Sequence, residues 1–199
     1  METTGCTWPG NDPLYRAYHD QVWGRPVFDG VELFAKLCLD GQQAGLSWIT
    51  ILRKQPNYER LFHGFEPARV AAMDEQDVER LLLEPGIVRN RLKITSIIRN
   101  ARAYEAHKAA GGDFAALLWS FTQGRQIDGQ LRPGAPARAT SPESDAMSKA
   151  LKKLGFNFVG STICYAFMQA VGMVNDHRTD CPCHGACLWS GQFPPASSK

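Results

Sequence analysis

"MSKALKKLGFNFVGSTICYAFMQAVG", residues 147–172, sets two helical runs on either side of a six-residue turn, "GFNFVG", 155–160. The first run ends at Leu154 and the second starts near Ser161. Glycines at 155 and 160 let the backbone turn tightly and present amide hydrogens outward, where they and the next helix N-terminus can hold a phosphate. Glycine-bounded turns also serve as plain connectors, so the reading draws its weight from Lys149, Lys152 and Lys153 just before the turn. Another glycine-led turn, "GIVRNRLKI" at 86–94, opens a second basic helix.

Working outward, the punctuation is helical almost throughout. Asp12 before Pro13 and Ser141 before Pro142 each pair a capping residue with proline at the first helical position. Gly64, Gly111 and Gly155 follow periodic apolar runs, where helices end in a left-handed residue. Apolar positions recur at helical spacing through Val31, Phe34, Leu37 and Cys38, and again through Ile94, Ile97, Ile98, Ala101 and Tyr104. No stretch alternates as a strand would. The expectation is an all-α fold of about eight to ten helices. It forms one domain over 1–187, with the helix-turn-helix unit at 147–172 and a flexible tail at 188–199. The Gly- and Pro-rich segment 122–142 reads as an exposed loop.

The chain has 199 residues, 44% of them hydrophobic and 21% charged, which is the balance of an ordinary globular domain. No apolar run approaches the roughly 18 residues that span a bilayer. "METTGCTWPG" lacks the basic-then-apolar pattern of a secretion signal. A soluble, cytoplasmic chain with no membrane partner follows, its six cysteines being thiols or metal ligands. The net charge of +2 hides an uneven distribution. Residues 74–84 are acidic, whereas Arg89, Arg91, Lys93, Arg99, Arg102 and Lys108 face only Glu105. Each basic cluster alone reads as a solvated helix face; this one and the lysines before the turn together suggest a phosphate-tracking surface.

Cys38 and Cys164 sit among apolar residues and read as core. Spacing leaves two metal-ligand sets open. Cys6 and His19 with His177 and Cys181 would close a tetrahedral site stapling the chain ends, the H-x3-C spacing of the second pair placing both on one helical turn. Alternatively, "CPCHGAC" at 181–187 offers Cys181, Cys183, His184 and Cys187 as a local knot. Trp8, Tyr15, Tyr18, Trp23 and Trp48 concentrate in the first quarter of the chain, a pattern that most often marks core. Asp40 lies three residues after Leu37 and four before Ala44, so a helix carries it onto an apolar stripe. A carboxylate there must be paired, capping or functional. Ser47 reads as the next N-cap, leaving Gly45 and Leu46 at an exposed turn.

"CTWPGNDPLYRAYHDQVWG" (6–24), "CLDGQQAGLSWITILRK" (38–54), "GIVRNRLKI" (86–94) and "SDAMSKALKKLGFNFVGSTICYAFMQAVGMVNDH" (144–177) together resemble the 3-methyladenine DNA glycosylase I family, a zinc-containing branch of the helix-hairpin-helix glycosylases. The resemblance implies two helical lobes, a structural Zn2+ on Cys6, His19, His177 and Cys181, and a monomer acting on double-stranded DNA. It implies a DNA interface of Lys153, Gly155, Phe156, Val159, Gly160 and Ser161, with Gly45 and Leu46 filling the gap left by a flipped nucleotide. N3-methyladenine would be excised from a pocket of Trp8, Tyr15, Tyr18, Trp23 and Trp48, with Asp40 and Tyr18 recognising the base. The family position of Asp40 is typically glutamate, so this chain is one methylene, about 1.5 Å, shorter there. Many relatives in the wider superfamily use an aspartate about twenty residues beyond the hairpin; Asp176 lies at a similar distance, beside an implied zinc ligand. No lysine follows the hairpin where bifunctional relatives carry a Schiff-base nucleophile, which implies a monofunctional enzyme. The competing expectation is a zinc-clasped DNA-binding module without catalysis, its aromatics core and Asp40 a structural partner.

Overall fold

The computed structural model describes residues 5–193, and ten α-helices lie among them. In chain order they are α1 (Pro13–Gln21), α2 (Gly30–Gln42), α3 (Trp48–Leu61), α4 (Pro67–Ala71), α5 (Glu75–Leu82), α6 (Arg91–Ala109), α7 (Phe114–Ser120), α8 (Pro142–Lys153), α9 (Ser161–Ala170) and α10 (Pro182–Cys187). The proline-led caps hold: Asp12 accepts from the Tyr15 amide at 3.1 Å, and Ser141 forms a reciprocal capping box with Ser144. Gly155 ends α8 at φ +95°, a conformation that would strain any side-chain-bearing residue.

α6 packs against α2, α4, α5 and α7, and α2 also packs against α9. The helix carrying Asp40 therefore touches the second helix of the turn unit. A single hydrophobic cluster runs from Leu33 to Val174 and includes both Cys38 and Cys164.

Three expectations change. A short parallel pair joins β1 (Ile127–Asp128) to β2 (Val174–Asn175), and two-residue strands show no alternation for a sequence reading to detect. The 122–142 segment is exposed over 132–140 as expected, but its earlier part is anchored by this pair and by a further bridge from Leu131 to Arg178. The expected tail is also folded as far as it is described. Trp189 and Phe193 pack on Phe28 at centroid distances of 5.0 and 5.6 Å, and the Phe193 amide donates to Gly124 O at 2.7 Å. Residues 194–199 lie outside the described residues. Cys183, His184 and Cys187 belong to α10, and Cys187 is buried.

Candidate functional site

A cavity of about 510 Å3 opens between α1, α2, α3, α9 and the 131–138 segment. Trp8, Tyr15, Tyr18, Trp23, Asp40 and Trp48 all line it, so the structure brings together every residue expected of the pocket. Tyr18 and Trp48 face each other at 5.5 Å, tilted by 45°. Trp8 meets the edges of Tyr15 at 4.8 Å and Trp23 at 5.2 Å. Apolar packing buries α2 on both sides, and Asp40 goes in with it, only 2% exposed. Its Oδ1 accepts from Lys36 Nζ at 2.5 Å, while Oδ2 is buried without a hydrogen-bond partner among the described residues.

Lys36 was not anticipated, although its position four residues before Asp40 is a readable ion-pair spacing. Its ammonium sits 3.9 Å from the Trp48 ring centroid and 6.0 Å from that of Tyr18. Burial pushes the Asp40 carboxyl above its ordinary range and Lys36 below its own, and their attraction opposes both shifts. Burial, with the Asp40 charge adding to it, raises the Tyr18 phenol well above its usual value, so it remains a hydroxyl. The 131–138 segment, including Arg138, also lines the cavity, a role that a loop-like composition does not disclose.

Asp176 also lines the cavity, yet its carboxylate is held. Oδ2 accepts from Tyr165 Oη at 2.7 Å and Gln169 Nε2 at 2.8 Å, whereas Oδ1 is buried against Gly129 with no hydrogen-bond partner among the described residues. Asp176 thus shares with Asp40 an unpaired oxygen, and differs in being fixed by two neutral donors rather than by an ion pair.

Against one flank of the cavity, Cys6, His19, His177 and Cys181 place one donor atom each within 4.8 Å of one another, a group able to hold a metal ion. Cys6 Sγ lies 3.8 Å from His177 Nδ1, and Cys181 Sγ lies 3.8 Å from His19 Nε2 and 3.9 Å from His177 Nδ1. Tetrahedral bonds of about 2.0–2.3 Å require separations near 3.5 Å, so little contraction would seat an ion. The other ring nitrogens are held as metal-bound histidines require: His19 Nδ1 pairs with Asp20 Oδ1 at 2.6 Å, and His177 Nε2 with Trp23 O at 3.1 Å. Burial lowers His177 to about 4, which keeps the imidazole neutral for ligation. Gly24 makes the close approach possible, since a Cβ there would stand 2.9 Å from the His177 ring. His177 and Cys181 lie in a turn before α10, not on one helical face as their spacing suggested. The local knot is not assembled among the described residues: His184 Nε2 pairs with Asp128 at 3.0 Å, and Cys187 packs near Trp23 O.

The turn unit is preserved as α8, hairpin and α9, with Lys149, Lys152 and Lys153 exposed and in no ion pair among the described residues. Asn100 clamps the hairpin, accepting from the Asn157 amide at 2.7 Å and donating to Asn157 O at 3.1 Å. α9 has no side-chain cap, and a Cβ on Gly160 would meet nothing within 4 Å, leaving an open seat at its first amides. Phe156 and Val159 point inward, buried at 3% and 1% exposure, so they shape the turn from within rather than offering side chains outward. The Ser161 hydroxyl is committed to Asp145 and Ser144 of α8.

Gly45 adopts φ +75° at the expected exposed turn, where Leu46 is 38% exposed. Lys93 holds this turn by donating to Gln42 O at 2.7 Å and Ala44 O at 2.6 Å. The basic cluster of α6 is consequently not a continuous phosphate-tracking surface. Lys93 is buried, Arg91 pairs with Glu75 and Glu79, and Arg102 donates to Ala71 O and Met73 O.

The family profile for methyladenine glycosylase matches residues 8–184. The chain is similar to DNA-3-methyladenine glycosylase 1 of Escherichia coli K12, at 52% identity over 179 residues, covering 90% of this chain and 96% of the relative. It resembles a crystal structure of 3-methyladenine DNA glycosylase I at TM-score 0.89 and 55% identity, over 90% of this chain and 99% of the other. A tyrosine-to-phenylalanine variant of 3-methyladenine DNA glycosylase I, solved in complex with 3-methyladenine, matches at TM-score 0.84 and 39% identity, over 89% and 95% of the two chains.

Proposed function

Since the chain belongs to the methyladenine glycosylase family, we propose that it hydrolyses the N-glycosidic bond of N3-methyladenine in alkylated DNA, releasing 3-methyladenine and leaving an abasic site. The observation that carries this reading is a buried carboxylate, Asp40, with one oxygen unpartnered at the wall of an aromatic cavity. N3-methylation gives the base a formal positive charge, which weakens the glycosidic bond and lets the base depart neutral. The pocket therefore has little proton transfer to perform. It must accept a flipped base and favour its charge. Trp48 and Tyr18 offer faces that attract a cation by roughly 0.5–2 kcal/mol. Asp40 adds charge complementarity, and the Tyr18 hydroxyl supplies a second hydrogen-bonding group.

The uncapped start of α9 with Lys152 and Lys153 holds the DNA backbone, and Leu46 at its exposed turn fills the space vacated by the flipped nucleotide. Zinc suits the Cys6, His19, His177 and Cys181 donor set; bound there it supplies structural cross-linking, because four protein ligands leave no open position. α9 carries no lysine at the position where bifunctional relatives hold a Schiff-base nucleophile, which supports a monofunctional reading.

Incubation with methylated duplex DNA and chromatography of the released bases tests the reading. Release of 3-methyladenine without strand scission is expected. DNA binding with no base released would identify a non-catalytic DNA-binding module instead.

A further inference from the structure

Lys36 stands where a cationic base would be recognised. Its ammonium touches Asp40 Oδ1 at 2.5 Å and lies over Trp48 at 3.9 Å, so it already satisfies both features that would attract a positively charged purine. We propose that Lys36 is a specificity-determining residue whose ammonium lies in the cation subsite of the pocket, so that an incoming cationic base must displace it. The inference rests on the glycosylase reading above for the identity of the base.

Two further observations separate this arrangement from a structural ion pair. A buried pair that serves stability has its remaining polar atoms satisfied. Here Asp40 Oδ2 and Trp48 Nε1, on the two residues that the ammonium touches, are both buried without hydrogen-bond partners among the described residues. Lys36 is also able to leave: its side chain keeps 15% exposure, it lines the cavity, and four methylenes tether the charge. Its exit would uncover one carboxylate oxygen and one indole face together. Lys36 neutralises the Asp40 charge, so binding a cation there is an exchange of one positive charge for another. Neutral purines escape that competition, so the lysine narrows the discrimination between cationic and neutral bases.

The test uses 3,9-dimethyladeninium, in which a methyl at N9 replaces the sugar, preserving the ring charge of the methylated nucleotide with no bond to hydrolyse. 9-Methyladenine is its neutral counterpart. Titrations followed by tryptophan fluorescence compare wild type with Lys36→Met and Lys36→Arg, with Lys36→Gln in reserve should the methionine variant fail to fold. Lys36→Met is expected to bind the cation about tenfold more tightly or better, equivalent to about 1.4 kcal/mol, with 9-methyladenine affinity changed by less than about twofold. Lys36→Arg, which keeps the charge, should stay near wild type. Equal or weaker cation binding by Lys36→Met and Lys36→Gln overturns the proposal, and so does an equal gain for the neutral purine. Base release from methylated DNA by the wild type, run in parallel, decides the glycosylase reading separately.

Discussion

Asp40 is one methylene shorter than a glutamate, yet burial and Lys36 place its carboxylate at the cavity wall with Oδ2 free to accept. Asp40→Asn keeps the volume and removes the charge. Fluorescence titration with the 3,9-dimethyladeninium cation should show affinity about tenfold lower, or about 1.4 kcal/mol. Asp40→Glu should bind at least as well as wild type. Unchanged affinity in Asp40→Asn would remove the carboxylate from recognition and leave Tyr18 and the aromatic faces to do it. Gly24 is the corresponding sensitive point on the metal side. Its φ of +82° and the 2.9 Å approach to His177 leave no room for a methyl group. Gly24→Ala should lower stability by about 1–3 kcal/mol in thermal unfolding, and metal content should fall with it. A variant that melts like wild type with full metal content would show that the ring can yield.

At the scale of elements, α2 and the hairpin before α9 form one mechanical unit. A Cβ on Gly41, next to Asp40, would lie 3.1 Å from Phe158 Cβ of the hairpin. Contact with the DNA backbone and contact with the base are thus set by elements packed against each other. Gly160 itself has φ −62°, which any residue adopts, so its value is the open space over the α9 amides. Gly160→Asp places a negative charge in that space without straining the backbone. Duplex affinity should drop by tenfold or more, on the order of 1.4 kcal/mol, while free 3-methyladenine binding stays at the wild-type level. Parallel loss of both would mean that the substitution had disturbed α2 through the hairpin. Residues 147–172 were readable as helix, turn and helix because caps and glycines act locally. The clamp by Asn100 was not, since that residue lies 57 positions from Asn157 and its spacing gives no sign of a partner.

Across the whole molecule, the Cys6, His19, His177 and Cys181 group joins α1 to the segment before α10, closing a loop of most of the chain. With zinc bound, its binding energy is folding energy. Cys6→Ser should lower metal content and melting temperature together. Cys187→Ser should leave metal content unchanged, and because Cys187 is buried it should cost a modest amount of stability, about 1 kcal/mol. Chelation of the wild type should reproduce the Cys6→Ser melting shift. Metal loss in Cys187→Ser with retention in Cys6→Ser would restore the local-knot alternative.

The sequence by itself determined the helical class, the turn unit and the placing of Asp40 on an apolar stripe, because capping, glycine geometry and helical spacing are properties of neighbouring residues; the pocket role of the aromatics rested on the family resemblance. It left the two metal-ligand sets equal on spacing. The family resemblance pointed to Cys6, His19, His177 and Cys181, and the tertiary structure assembles that set, bringing Cys6 within 3.8 Å of His177 across 171 positions and turning His184 toward Asp128. It alone decided that Arg91, Lys93 and Arg102 are committed internally, that Trp189 and Phe193 close over Phe28, and that the 131–138 segment walls the cavity. Each of these depends on which distant surfaces meet when the apolar faces are buried, and composition and periodicity constrain only which faces are apolar.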